Sequence, residues 1–144
     1  MSRTYIAAAL RREVIERAGS CCEYCRTRAD DRALDFAIDH VIAEKHGGLT
    51  QADNLCLSCY WCNSYKGSDL SSVDWEADSA IVPLFNPRSQ VWNDHFQLIG
   101  VRLVGVTAHD RVPIALLRLN AVERLKEREL LLMLGTYPCL SASQ

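Results

Sequence analysis

The segment from Asp39 to Asn63 reads DHVIAEKHGGLTQADNLCLSCYWCN. It sets an acid beside an imidazole, Asp39 and His40, then a Gly47-Gly48 turn, Asn54, and a Cys59-x2-Cys62 pair followed directly by Asn63. A second pair, Cys22-x2-Cys25, lies upstream. A two-residue gap lets one tight turn present two sulfurs, and zinc takes four thiolates in a tetrahedron. Cys22, Cys25, Cys59 and Cys62 therefore predict a structural Zn²⁺ site. Cys21-x3-Cys25 and Cys56-x2-Cys59 are alternative registers. In the preferred register Cys21, Cys56 and Cys139 are left over, and each reads as a small apolar residue. The 33 residues between the pairs exceed the usual zinc-ribbon spacing, so something sizeable sits between the half-sites.

A zinc knuckle needs only its cysteines, so Asp39, His40, Asn54 and Asn63 ask for a separate explanation. Imidazole titrates near neutrality and suits proton abstraction from water. Asp39 offers a hard anionic oxygen and Asn63 a neutral carbonyl oxygen, a donor set that favours Mg²⁺ or Mn²⁺ with waters and a substrate phosphate completing the shell. An activated water and a cation on the phosphate are what phosphodiester hydrolysis requires. Geometry sets a condition. Neighbours on a regular strand face opposite ways, so Asp39 and His40 share a site only if the strand ends or bulges there.

The elements that must position these groups follow from patterning. Ile6, Leu10, Val14 and Ala18 recur at helical spacing, which predicts an amphipathic helix over 4–18, stopped at Gly19-Ser20. A charged loop with Arg26, Arg28, Asp30, Asp31 and Arg32 follows the first knuckle. Leu34, Phe36 and Ile38 alternate with polar or small residues and predict a short strand; Leu55 and Leu57 suggest a second. A short helix is expected from about Trp61–Cys62 to Gly67. The acidic stretch 68–78 reads as loop, 92–98 and 101–107 as two strands joined at Ile99-Gly100, and 113–134 as one long helix with proline near its first turn.

The chain has 144 residues, 49% hydrophobic and 24% charged, and the expectation is one domain, 1–144, with a core at about 20–68 and an extension at about 80–136. Seven cysteines is an odd number, so a disulfide framework cannot use them all. With no targeting segment evident and nothing near a membrane span, a cytoplasmic, reducing setting is expected, with no membrane partner. The formal net charge of -2 lacks the strong positive excess of a constitutive nucleic-acid binder. Contact with nucleic acid would rest on local groups: Lys66, Arg88 and His46. For Arg88 the alternative is a salt bridge to Asp74, Glu76 or Asp78. The final Leu130–Leu134 run is apolar on every face and reads as core packing or a dimer contact.

CEYC (Cys22–Cys25), DHVIAEKHGG (Asp39–Gly48), NL (Asn54–Leu55) and CYWCNSYKG (Cys59–Gly67) resemble, in order and spacing, the HNH endonuclease family in its four-cysteine zinc-binding version. PLFNPR, WNDHF, GVTAHDR and LRLN further along resemble one bacterial branch. The resemblance implies an α+β fold: a zinc-clamped ββα-metal core with an N-terminal helix, a C-terminal β-hairpin and a long helix. It implies DNA as partner, His40 as general base, and Asn54 orienting the ring or bracing the loop. Asp39 and Asn63 would hold a catalytic Mg²⁺ or Mn²⁺. Products would carry 5′-phosphate and 3′-hydroxyl ends, and paired cuts would need a homodimer, a partner protein or two encounters. The chain has Asn63 where some members carry a final histidine. Two rivals stand beside this reading: a non-catalytic zinc-binding nucleic-acid or protein adaptor, and a nuclease acting on RNA or structured nucleic acid.

Overall fold

The computed structural model describes residues 4–29 and 35–140. Asp30, Asp31, Arg32 and Leu34, which the sequence reading uses, lie outside the described residues.

Helix α1 (Ala8–Ala18) buries Val14 and Ala18 against strand β2 (Leu55–Ser58), whose Leu55 and Leu57 are also buried. Val14, Leu55 and Leu57 each contribute about 1.5–3 kcal/mol by leaving water. The helix ends where Gly19 takes a left-handed φ of 63° and its N–H donates to Glu16 O, with Ser20 N–H on Ile15 O. In its last turn, Arg17 donates from Nη1 to Ala52 O at 2.8 Å and from Nη2 to Leu55 O at 2.6 Å. These bonds tie α1 to the approach of β2.

Strand β1 (Ala37–His40) pairs antiparallel with β2, setting Asp39 opposite Cys56 and His40 opposite Leu55. Helix α2 (Tyr60–Lys66) follows β2 after a single residue, Cys59, and ends at Gly67 with φ 51°. This ββα unit agrees with the expected core. The mixed helix and strand content agrees with the α+β class.

The extension departs from expectation in three places. The segment 68–78, read as loop, contains β3 (Ser71–Asp74), which pairs antiparallel with β4 (Ala80–Pro83). Its serines give no apolar alternation. The hairpin is held by its backbone ladder and by Arg111, which donates from Nε and Nη2 to the two oxygens of buried Asp74, each at 2.8 Å. The first half of the expected strand 92–98 is instead a helical turn, α3 (Trp92–His95), which turns Trp92 inward so that its indole N–H donates to Tyr24 O at 2.8 Å. Only then do β5 (Phe96–Ile99) and β6 (Arg102–Gly105) pair as a hairpin.

The expected long helix 113–134 is two helices, α4 (Arg111–Leu116) and α5 (Val122–Met133). Between them Arg118 has φ 49°, and Leu117 and Leu119 are buried. Asn120 meets the backbone of Leu103, accepting from its N–H at 2.9 Å and donating to its carbonyl at 2.8 Å. A continuous helix would carry these three residues around its axis. The break lets all of them face β6 and the core.

The principal core groups Cys22, Cys25, Cys59 and Cys62 with Tyr24, Val41, Phe85, Trp92, Phe96, Leu103, Leu117 and Leu119. Among the described residues no helix is long and apolar enough to cross a membrane.

Candidate active site and cysteine cluster

Strand β1 ends at His40, which meets the geometric condition for a shared site. Past it the Val41 N–H bonds to Asn54 O at 2.9 Å, and the chain turns into the loop that carries Glu44 to Thr50. Asp39, His40, Glu44 and Asn63 line one cleft of about 560 Å³, between the strand end, this loop and the N-terminal segment at Thr4 and Ile6. Asp39 and His40 are buried at its wall and Asn63 is half-buried.

His40 is held through Nε2, which lies 2.9 Å from Thr50 Oγ1 and 3.4 Å from Glu44 Oε1. Lys66, at the end of α2, is buried; its ammonium is 3.0 Å from Asp39 Oδ2 and donates to His40 O at 3.1 Å. Burial pushes the Asp39 carboxyl upward, and the Lys66 charge pulls it back. The lysine expected on phosphate is thus turned onto the acid expected to hold a cation.

Asn54 settles on the loop. Its Oδ1 accepts from Ile42 N–H, and its Nδ2 donates to Ile42 O and Leu49 O, each at 2.9 Å. All three bonds go to backbone. Gly48 lies against the same groups, where an added Cβ would come 1.7 Å from Ile42 O and 2.8 Å from Asn54 Nδ2. His46 reaches from Nε2 to Ser68 O at 3.1 Å, pinning the loop to the chain beyond α2. Arg88, expected on nucleic acid with a salt bridge to Asp74, Glu76 or Asp78 as the alternative, pairs instead with Glu23. Glu23 also accepts from Leu57 N–H at 2.8 Å, so Arg88 serves the joint between the first knuckle and β2.

Behind this wall the sulfurs of Cys22, Cys25, Cys59 and Cys62 all lie within 4.8 Å of one another, and all four residues are buried. Zinc–sulfur bonds of about 2.3 Å in a tetrahedron place sulfurs roughly 3.8 Å apart. Cys25 Sγ and Cys59 Sγ are 3.7 Å apart, so the cluster fits zinc. Each knuckle also bonds its own first sulfur: Cys25 N–H to Cys22 Sγ at 3.5 Å and Cys62 N–H to Cys59 Sγ at 3.4 Å. Cys59 is at once knuckle residue and N-cap of α2.

The motif between the knuckles now has its frame, and the stretch from residue 22 to residue 69 matches the family model described as HNH endonuclease. These residues form an HNH domain. The close set of four cysteines fits the zinc-binding variant of that domain. No curated protein and no solved structure matches the chain.

Two cysteine readings change. Cys21 and Cys139, taken as small apolar residues, are joined in a disulfide across 118 positions of sequence. That pairing leaves Cys21 out of the cluster of four cysteines and draws the C-terminal segment onto the knuckle, where Cys139 N–H donates to Arg26 O at 2.8 Å and Tyr137 OH to Cys25 O at 2.8 Å. Cys56 remains a buried thiol, 3.6 Å from Tyr24 OH, and burial pushes its pKa up.

Sequence reasoning missed three residues that act on the HNH domain. Glu44 and Thr50 look like ordinary loop residues, six positions apart, and only the fold of the loop sets them on His40. Arg124 reads as one of many charges on an amphipathic helix. It is buried instead, with Nη2 at 3.1 Å from Cys62 Sγ and 3.7 Å from Cys59 Sγ. A positive group there would offset the excess negative charge of four thiolates around a bound dication. The sequence signal was only the spacing of Arg124 and Arg128, four apart on one helix face; that both are buried is decided by the fold.

Proposed function

We propose that the chain is a metal-dependent endonuclease that hydrolyses DNA phosphodiester bonds, with His40 as general base. The observation that carries this reading is the shared cleft, in which a strand end, a loop and a helix bring His40, Asp39 and Asn63 to one surface. His40 accepts a proton from water as that water's oxygen attacks phosphorus; the P–O3′ bond breaks and the 3′-oxygen takes a proton from solvent, giving 5′-phosphate and 3′-hydroxyl ends. Asp39 and Asn63 are the residues that would hold Mg²⁺ or Mn²⁺. Such a cation, when bound, supplies positive charge to the phosphate oxygens as negative charge builds. Asn54 and Gly48 keep the loop closed beside His40. The cysteine cluster holds a structural zinc that sets Asn63, next to Cys62, across from β1. One copy cuts one strand; cutting both takes two copies or two encounters.

The decisive experiment is cleavage of supercoiled plasmid with Mg²⁺, Mn²⁺ or EDTA, run beside a His40→Ala variant of verified zinc content. Metal-dependent nicking that the variant loses supports the reading. Equal cleavage by both proteins rejects His40 as the base.

A second reading is a zinc-stabilised adaptor without hydrolytic activity. It draws on the salt bridge that places Lys66 on Asp39. It expects zinc and no cleavage of DNA or RNA under any metal.

A further inference from the structure

Two polar groups meet at one edge of the His40 ring. Thr50 Oγ1 is 2.9 Å from Nε2, Glu44 Oε1 is 3.4 Å from the same nitrogen, and Thr50 Oγ1 donates to Glu44 Oε1 at 3.3 Å. A threonine hydroxyl has one proton to give. With that proton directed at the carboxylate, the oxygen turns a lone pair toward Nε2, and Nε2 must carry hydrogen to complete the bond. A neutral imidazole with hydrogen on Nε2 keeps its free lone pair on Nδ1.

We infer that Thr50 and Glu44 are positioning residues that hold His40 in the Nε2–H tautomer and so present Nδ1 as the proton-accepting atom. The inference rests on the proposed hydrolysis for its catalytic meaning, but the tautomer itself is a property of the resting protein. The loop is built for the task. Glu44 stands in the short helical turn Glu44–His46, and Thr50 lies beyond the Gly47-Gly48 turn. Asn54 ties Ile42 and Leu49, one residue from each end of the stretch 43–50, so that both partners stay at one ring nitrogen. Glu44 is about one-third exposed, at 35%, whereas His40 is buried, so the carboxylate is the polar end of a short chain running from solvent to the ring. Imidazolium formed after proton uptake would keep the same two acceptors. The arrangement thus orients the base before the reaction and stabilises its charge afterwards.

The test uses the full chain, zinc-loaded and labelled with ¹⁵N at histidine, with long-range ¹H–¹⁵N spectra at mildly alkaline pH, where a free imidazole is neutral. Thr50→Val removes the hydroxyl at nearly constant shape, Thr50→Ser retains it, and Glu44→Gln removes the charge. The wild type is expected to show the Nε2–H pattern. Thr50→Val is expected to give mixed tautomers and a kcat lower by about tenfold or more with KM little changed, and Thr50→Ser to restore both. Glu44→Gln, with zinc content and thermal midpoint unchanged, serves if Thr50→Val fails to fold, and is expected to weaken the tautomer preference. A wild-type ring in the Nδ1–H form, a doubly protonated ring, or a wild-type tautomer kept in Thr50→Val or Glu44→Gln would overturn the inference. If the tautomer responds as stated while no metal elicits cleavage of any nucleic acid, the relay stands and the nuclease reading fails.

Discussion

The ammonium of Lys66 lies 3.0 Å from Oδ2 of Asp39, and both side chains are buried. A fixed positive charge therefore occupies the carboxylate that the proposed chemistry assigns to a divalent cation. The two uses of Asp39 compete. Replacing Lys66 by Met leaves Asp39 buried without its partner, a change that typically costs about 3–5 kcal/mol. In the proposed site Mn²⁺ takes the place of the lysine, so millimolar Mn²⁺ should raise the stability of Lys66→Met more than that of the wild type. Urea unfolding with and without Mn²⁺ checks this, and an equal shift in both proteins rules out the competition.

Arg124 joins the extension to the cysteine cluster through Cys62 and Cys59. Groups that bond to metal ligands commonly contribute about 10–100-fold in affinity. Arg124→Met should give up zinc to a chromophoric chelator at correspondingly lower chelator concentration. Zinc retention equal to wild type would mean that Arg124 is a packing residue only.

The loop beside His40 has no room for a side chain at position 48. In Gly48→Ala the new Cβ would meet Ile42 O at 1.7 Å, so the loop must open and the Asn54 bonds must break. Asn54→Ala removes those bonds directly and should cost about 1–3 kcal/mol, because backbone groups lose partners. In both variants hydrogen exchange at the Ile42 amide should accelerate, while amides of α5 keep their protection. Unchanged exchange at Ile42 would show that the loop is held by other means.

Arg111 sets an acid limit on the β3–β4 hairpin. Its hydrogen bonds hold the Asp74 carboxyl below the ordinary carboxylate range. The folded state then binds a proton less readily than the unfolded chain. The stabilisation is present above the ordinary aspartate pKa and is lost as pH falls through the lower folded value. Asp74→Asn should reduce stability at neutral pH and flatten its decline on the acid side, as measured by urea midpoints across pH. Parallel curves for the two proteins would remove Asp74 from the acid transition.

The cysteines can be counted. Five are free and two are joined as Cys21–Cys139. Denatured protein, stripped of metal without reductant, should react with five equivalents of a thiol reagent, and reduced protein with all seven. Seven equivalents without reductant would mean that Cys21 and Cys139 are thiols in the isolated protein.

What the sequence determined by itself was local. The two Cys-x2-Cys knuckles, the Gly47-Gly48 turn, the short strand around Ile38 and the helix after Cys59 each follow from residues a few positions apart, acting through turn geometry and backbone bonds. The order of those pieces was enough to set the HNH core in its place along the chain. Long-range pairing decided the rest. Asn120 broke the expected final helix because it satisfies the backbone of Leu103, 17 positions away. Ser71 to Asp74 became a strand because Arg111 reaches Asp74 across 37 positions. Lys66 and Arg88, whose partners spacing does not name, were claimed by Asp39 and Glu23, since burying a charge is costly unless an opposite charge comes with it. Spacing along the chain tells which groups a turn can bring together. Which charges meet in the interior depends on the packing of distant segments, and that is fixed only when the whole core closes.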